Sequence, residues 1–309
     1  MELIRGLHNV REHHRPCVAT LGTFDGVHRG HQAVLRQLLQ KSDEYNAPAL
    51  VITSEPHSLE YFRGEDAPAR LTRLSEKLEL LEAQGVPRVL CLYFNRRLST
   101  MEAETFVHHV FCEKLNVRYF VAGDDLRFGN NRRGDLDMLR QMGEKYDFEV
   151  SPTSSFMEGD ERISSTRIRE LLAQGDLATA ETMLGRPYQI TGRVIHGDAK
   201  GRTIGFPTAN ILLRRRVTPV SGVFAIKAYT DEHPDAIAGV ANVGHRPTVG
   251  GVRKQLEVHL FDFSADLYGQ RMTVTFCKKL REEQKFESFE ALRQQIASDC
   301  DAARNALMN

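Results

Sequence analysis

One stretch near the start of this 309-residue chain and two past its middle gather residues able to do chemistry. The first is Gly22-Thr23-Phe24-Asp25-Gly26-Val27-His28-Arg29-Gly30-His31, set between an apolar run and the helical run Gln32 to Gln40. Glycines let the backbone approach a ligand closely, and the amides and dipole at a helix start favour an anion. His28 and His31, three apart at that start, can both donate to phosphate oxygens. The second stretch, Ile163-Ser164-Ser165-Thr166-Arg167-Ile168-Arg169, also opens a helix and offers three hydroxyls and Arg169 to a phosphate. Taken alone, Ser164 or Ser165 could serve simply as a helix cap. The cluster Gly123 to Gly129, which contains Asp125, follows another apolar run and reads either as a solvated turn or as a ligand contact at a strand's carboxyl end.

The third stretch runs from Gly192 to Ile211, and its centre is glycine-rich. Gly197, Gly205 and the residues between them, with Lys200 and Thr203, can offer flexible donors and a charge to phosphates, and Phe206 and Pro207 close this flap. The Thr208 hydroxyl and the Asn210 carboxamide oxygen are hard ligands suited to a partly hydrated Mg²⁺. No G-x-x-x-x-G-K-[ST] string occurs, so an ATP site here would be of another kind. Farther on, Gln255 to Phe263 reads as a strand in which Glu257 and His259 face one side. A carboxylate so placed can take a proton from an alcohol, although most strand glutamates are surface residues.

These groups need elements to hold them. Val18 to Leu21, Ala49 to Thr53, Arg88 to Phe94 and Arg118 to Ala122 are apolar on both faces, as strands of a covered parallel sheet are. Between them, Leu71, Leu74, Leu78 and Leu81 repeat at helical spacing, as do Val107, Val110, Phe111 and Leu115 after a Ser99-x-x-Glu102 capping box. Alternating strands and helices predict a doubly wound α/β domain with a parallel sheet. Two short helices follow, over Thr166 to Ala173 and Leu177 to Leu184, and Gly185-Arg186-Pro187 reads as a hinge. The boundary is expected there, with domains at 1–185 and 186–309. Beyond it, Tyr188 to Ile195, Val223 to Tyr229, Ala236 to Val243, Leu256 to Phe263 and Met272 to Lys278 read as strands without intervening helices, hence an antiparallel β-barrel. A terminal helix is expected to present Leu292, Ile296, Ala303 and Leu307 on one face, with Ser288 as its cap.

Composition narrows the partners. Lys plus Arg and Asp plus Glu both number 41, so no basic excess exists to displace counterions from a nucleic acid. No apolar run approaches the ~18 residues of a membrane span, and the start lacks a signal-peptide core, so a cytoplasmic protein is expected. The five cysteines are odd in number and widely spaced, as free thiols are.

The motifs together resemble the prokaryotic bifunctional riboflavin kinase/FMN adenylyltransferase family, the FAD synthetases, and do so over essentially the whole chain. H-x-G-H after a strand is shared by the nucleotidyltransferase superfamily, whose second signature S-S-T-x-I-R matches Ser164 to Arg169. The string G-R-T-I-G-F-P-T-A-N, ending at Asn210, is highly specific for riboflavin kinase. The resemblance implies an N-terminal Rossmann-like nucleotidyltransferase domain that transfers AMP from ATP to FMN, releasing pyrophosphate. It implies a C-terminal barrel that phosphorylates the 5′-hydroxyl of riboflavin. Carried over by position, Thr208 and Asn210 hold Mg²⁺ with ATP, and Glu257 is the general base. His28, His31 and Arg169 bind ATP phosphates and stabilise charge at the α-phosphorus, Gly22 to Gly26 with Ser164, Ser165 and Thr166 bind the nucleotide, and Asp125 lies near the flavin.

Two positions depart from the family. Ser54-Glu55-Pro56-His57-Ser58 replaces F-x-P-H-P, and Phe224 stands where G-V-Y-A has tyrosine. A different nucleotidyltransferase carrying an unrelated barrel is disfavoured by the P-T-A-N flap. A non-catalytic flavin sensor is disfavoured by His28, His31, Asn210 and Glu257 standing together. A barrel for single-stranded nucleic acid is disfavoured by the zero net charge and the absence of Trp. The expected partners are therefore small molecules, with no nucleic acid and no membrane, and a homo-oligomer is left open.

Overall fold

A computed structural model describes residues 1–309 apart from 124, 154–156, 159–160, 198–204, 214, 216, 249–250 and 309, with the backbone alone described at 158, 245–248 and 251–254. Its first elements are β1 (Glu2–Arg5), β2 (Cys17–Leu21), α1 (Arg29–Glu44), β3 (Ala49–Glu55), α2 (Ser58–Arg63), α3 (Leu74–Ala83) and β4 (Arg88–Tyr93). There follow α4 (Arg96–Ser99), α5 (Ala103–Phe106, continued with π-type turns over Val107–Lys114), β5 (Val117–Ala122), α6 (Leu136–Tyr146) and β6 (Glu149–Pro152). A small hairpin, β7 (Met157–Glu158) with β8 (Glu161–Arg162), leads to α7 (Ser165–Gln174) and α8 (Leu177–Leu184). The remainder is β9 (Gln189–Ile195), β10 (Ala209–Leu212), β11 (Gly222–Thr230), β12 (Ile237–Thr248), β13 (Gly251–Leu260), β14 (Arg271–Arg281) and α9 (Phe289–Met308).

By packing, Met1–Pro68 with Thr72–Ser165 form one compact unit, and Ala69–Leu71 with Thr166–Asn309 form another. The helices α7 and α8 thus pack with the second unit: α8 lies against β14, and Gly175 admits the Lys279 side chain so closely that a Cβ there would overlap it.

The first unit is a six-stranded parallel sheet in the order β1-β4-β3-β2-β5-β6. The four central strands, β2 to β5, are buried on both faces, as their apolar runs require. Val34, Leu35 and Leu38 of α1 and Leu81 of α3 cover one face; residues of α5, its continuation and Leu139 and Met142 of α6 cover the other. This is the doubly wound arrangement that the alternating pattern predicts. Two details differ from the sequence reading. The Ser99 to Glu102 capping box does not form, because Asn95 already caps α4 by accepting from the Leu98 amide at 3.0 Å, and Ser99 ends that helix. The sheet also has strands at β1 and β6, whose short mixed runs carry too few apolar residues to stand out.

The second unit is a closed antiparallel barrel in the order β10-β13-β12-β11-β14-β9. Six strands close it where the sequence shows five, the addition being β10, whose four residues follow a proline and escape any periodicity test. Inside, Phe224 meets Phe276 edge to face at 5.1 Å, so the ring retained at the G-V-Y-A position fills core. Outside, Val223, Ala225 and Val240 pack against Ile296, Cys300, Ala303 and Leu307 of α9. The Ser288 hydroxyl caps α9 by accepting from the Ala291 amide at 3.1 Å. All five cysteines are free, and Cys17, Cys91 and Cys300 are buried.

One ion pair fastens α9. Arg281 of β14 reaches Asp299 through two nitrogens, Nε at 2.9 Å and Nη2 at 2.7 Å, and Gln295 adds a third donor at 3.0 Å. Asp299 is only 5% exposed, so removing it strands a partly buried guanidinium. Asp299→Ala should cost about 3 kcal/mol. Calorimetry should show the transition of the barrel unit lowered by roughly 10 °C; an unchanged transition would refute the anchoring role.

Candidate functional site

The strand order reverses between β2 and β5: β3 and β4 extend from one side of this pair and β6 from the other. The crevice at the carboxyl ends of such a pair is where open parallel sheets place ligands. β2 delivers the glycine turn there, and β5 delivers Gly123 to Gly129.

Within the turn, Gly22 is half-buried and Thr23 exposed, whereas Phe24 and Asp25 are buried. The Asp25 carboxylate accepts from the Thr72 amide at 2.9 Å and its hydroxyl at 3.2 Å, and the same hydroxyl accepts from the Gly26 amide at 3.0 Å. Phe24 and Asp25 therefore shape the turn from beneath. Gly26 takes φ +85°, a conformation that costs a side chain energy.

His28 caps α1, its Nδ1 accepting from the His31 amide at 3.3 Å, which leaves the ring proton on Nε2. The two imidazoles stack at 3.6 Å, and Phe24 closes on His31 at 5.0 Å. Nδ1 of His31 is buried without a hydrogen-bond partner among the described residues. Burial, the neighbouring His28 and the charge of Lys77 hold the His31 pKa well below the usual 6.5. A neutral His31 retains one N–H for an anionic ligand. Lys77 on α3 is only 3% exposed, and sequence reading passed it over because that helix stands out for its leucines.

The second signature reaches the same place in part. The Ser165 hydroxyl donates to the Asp25 carbonyl at 2.9 Å, and Ile163 closes on Gly30 at the start of α1. Ser164 is half-buried beside it. Thr166 and Arg169 belong by packing to the second unit, where Arg169 Nε donates to the Ala69 carbonyl at 2.5 Å. Asp125 is exposed at the end of β5 and faces Arg162 at 3.8 Å. An aromatic group that sequence reading missed stands at the same edge of the sheet. Tyr61 and Phe62 of α2 and Phe94 after β4 meet edge to face at 5.3–5.8 Å, and Phe62 is 65% exposed. Exposed aromatics directly after a strand were the available signal.

In the barrel, register builds the second candidate site. Asn210 of β10 lies directly opposite Glu257 of β13, and Asn242 of β12 lies opposite Glu257 on its other side. Opposed residues share a face, so the three side chains form one polar row. The carboxamide oxygen of Asn210 accepts from Gln255. Gly197 leaves room for that carboxamide, since a Cβ there would overlap it. His259 Nδ1 donates to the Pro207 carbonyl at 2.8 Å, since a carbonyl only accepts, so Nδ1 carries the proton. Phe206 packs edge to face on His259, and Gly205 is exposed at φ +88°. Lys200 and Thr203 lie outside the described residues.

Ala209 and Val258, also register partners, face the opposite way from Asn210 and Glu257. They line a cavity of about 500 Å³ with Val194, Leu260, Thr208 and Tyr268. Thr208 is thus on the cavity wall two residues before Asn210. Tyr268 stacks on His196 at 3.8 Å, immediately before the flap.

The Thr208 hydroxyl and the Asn210 carboxamide are hard, uncharged oxygen donors, which suit Mg²⁺ and not a softer metal. One other cluster of metal-type side chains occurs among the described residues, Glu2 with His13 and His14. It is better accounted for as a hydrogen-bonded group. His14 Nδ1 accepts from the Arg11 amide at 2.8 Å, so its Nε2 carries the proton that bonds Glu2, and Arg88 stands 3.3 Å from the same carboxylate.

Comparison with known proteins matches both halves. The family model for FAD synthetase fits residues 10–167, and that for riboflavin kinase fits residues 184–307. A bifunctional riboflavin kinase/FMN adenylyltransferase from Escherichia coli (strain K12) is 49% identical over 98% of this chain and 97% of its own. The Haemophilus influenzae protein of the same name is 48% identical over 98% of each chain. A crystal structure described as a macrolide-efflux protein from Streptococcus pneumoniae superimposes with a TM-score of 0.83 at 29% identity, covering 99% of both chains.

The depressed pKa of His31 has a consequence for stability. Below about pH 6.5 the unfolded chain binds a proton at this ring that the folded chain refuses, so this contribution is whole above that pH and is lost as pH falls toward the folded value. The unfolding midpoint of the first unit should drop between about pH 7 and pH 5. His31→Gln should flatten that slope relative to wild type, and identical slopes in denaturant titrations would show that His31 carries no such linkage.

Proposed function

The chain belongs to the bifunctional riboflavin kinase/FMN adenylyltransferase family, and from that premise we propose how its residues divide two reactions. It phosphorylates riboflavin to FMN with one ATP and adenylylates FMN to FAD with a second, releasing pyrophosphate. The functional boundary is placed between residues 185 and 186, beside the start of the riboflavin kinase match at 184.

The kinase reaction is assigned to the barrel, and the observation that carries the assignment is the row in which Glu257 stands between Asn210 and Asn242. Glu257 takes the proton of the 5′-hydroxyl as its oxygen bonds the γ-phosphorus; the bond from that phosphorus to the β,γ-bridging oxygen breaks and ADP leaves. Thr208 and Asn210 would hold Mg²⁺, which neutralises phosphate charge when bound. The cavity beside Thr208 suits the nucleotide base, since its walls are mostly apolar with a few polar groups. Gly197, Lys200, Thr203, Gly205, Phe206 and Pro207 are assigned to the nucleotide as the flap.

In the adenylyl transfer, an FMN phosphate oxygen attacks the α-phosphorus of ATP and pyrophosphate departs, with no protein nucleophile. His28, His31 and Arg169 are assigned to the phosphates. The amides of Gly22 to Gly26 and the hydroxyls of Ser164, Ser165 and Thr166 are assigned to the nucleotide. Asp125 is assigned to the flavin side, and Tyr61, Phe62 and Phe94 offer its ring a stacking surface. The cytoplasm is the proposed compartment. The efflux description attached to the Streptococcus pneumoniae structure is not carried over, because no helix among the described residues is long and apolar enough to cross a membrane.

Purified protein given riboflavin, Mg²⁺ and ATP should yield both FMN and FAD on chromatography. Glu257→Ala should lower FMN formation by about 10²- to 10⁴-fold and leave FAD formation from supplied FMN intact. His31→Ala should do the reverse, so that FMN accumulates. Equal loss of both activities in either variant would overturn this division.

A further inference from the structure

The half-buried row beside Glu257 contains an acceptor that meets no donor among the described residues. Oδ1 of Asn242 is shielded from solvent and has no hydrogen-bond partner among the described residues. Its neighbours explain why. Across β11 stands Val223, and along β12 on the same face stand Val240 and Gly244, none with a side-chain donor. Across β13 stands Glu257, itself an acceptor when ionised. Glu283 adds another carboxylate, its Oε1 occupying the place where a Cβ on Gly244 would lie. Gln255, the nearest amide donor on β13, is spent on Asn210. Leaving a buried carbonyl oxygen unsatisfied costs about 1–3 kcal/mol, and among the described residues no donor meets it, which leaves the oxygen to a donor from a bound ligand.

We propose that Asn242 is a substrate-orienting residue of the kinase, its oxygen accepting a hydrogen bond from the 4′-hydroxyl of riboflavin while Glu257 addresses the 5′-hydroxyl. Two acceptors side by side on adjacent strands match a pair of donors on adjacent carbons. A terminal 1,2-diol has that form, and the pairing selects which of several ribityl hydroxyls meets the base. This rests on the assignment of Glu257 as that base. A metal-bound water is the other donor such an oxygen could take. Asn242 is separated from Asn210 by the full width of β13, however, and the ligand oxygens assigned to Mg²⁺ lie at Thr208 and Asn210, on the far side of Glu257.

The test uses the full-length protein with riboflavin and with 4′-deoxyriboflavin as kinase substrates. For wild type, removing the 4′-hydroxyl should lower kcat/KM about 10-fold. Asn242→Ala should lower kcat/KM for riboflavin by a similar factor, chiefly through KM for riboflavin, and should no longer distinguish the two substrates. KM for ATP, the Mg²⁺ requirement and FAD formation from FMN should stay at wild-type values. Asn242→Asp, which keeps the acceptor and adds charge beside Glu257, should retain the discrimination and move the acid limb of the kinase pH profile upward. Wild-type enzyme that phosphorylates both flavins equally would overturn the proposal without any variant. So would Asn242→Ala acting on the Mg²⁺ requirement with riboflavin KM unchanged. Glu257→Ala serves to separate the two failures: retained FMN formation would sink the base assignment, whereas its loss alongside an indifferent Asn242→Ala would sink the orienting role alone.

Discussion

The hydrogen bonds between Asp25 and Thr72 fix the turn on which the first site depends. A carboxylate that is 1% exposed must be satisfied or neutralised, and Thr72 satisfies it with an amide and a hydroxyl. Because the same hydroxyl accepts from the Gly26 amide, one threonine ties the turn into the loop that starts α3. The turn is thereby braced from within the protein, and His28 and His31 follow it at the start of α1. Preorganised donors of this kind stabilise developing charge without having to reorganise during the reaction.

The barrel achieves the same end by a different constraint, the period of two along a strand. A slip of one residue between β10 and β13 would send Glu257 to one face and Asn210 to the other. Burial on the opposite face forbids that slip: Leu256, Val258 and Leu260 alternate with Gln255, Glu257 and His259, and the first three are buried. The hydrophobic pattern of β13 therefore sets which face Glu257 occupies.

Much of this was legible in the residues. Runs apolar on both faces marked the parallel strands, and motif spacing marked the chemistry of the turn and of the P-T-A-N segment. What escaped did so for local reasons. β10 is too short to show alternation, yet it holds Asn210. Asn242 lies in a strand whose sequence is ordinary, and only register brings it beside Glu257. Lys77 looks like a solvated helix position until α3 is packed against the sheet. Asp25 and Phe24 sit within a motif suited to a ligand but turn inward, which spacing alone does not disclose. Cross-strand neighbours and the inner side of a turn are properties of the fold, and a single sequence records them only indirectly.

The two sites also differ in how they handle charge. In the first, a buried lysine and two stacked imidazoles stand at a helix start, with His31 held below its usual pKa by burial and by its neighbours, so the protein offers donors and positive charge there. In the barrel row, the protein supplies acceptors, with Glu257 flanked by two carboxamides and Glu283 close by. An acceptor-rich row is poorly suited to bind phosphate unaided, and that follows from the chemistry required of it. On the proposed assignment the atom to be activated there is a hydroxyl, which must surrender a proton, and a cationic surrounding would weaken the base that takes it. On that same assignment, positive charge for the phosphates would come from Mg²⁺ held by Thr208 and Asn210 and not from the centre of the row. A chain with equal numbers of acidic and basic residues can in this way present opposite local electrostatics to two molecules of the same nucleotide.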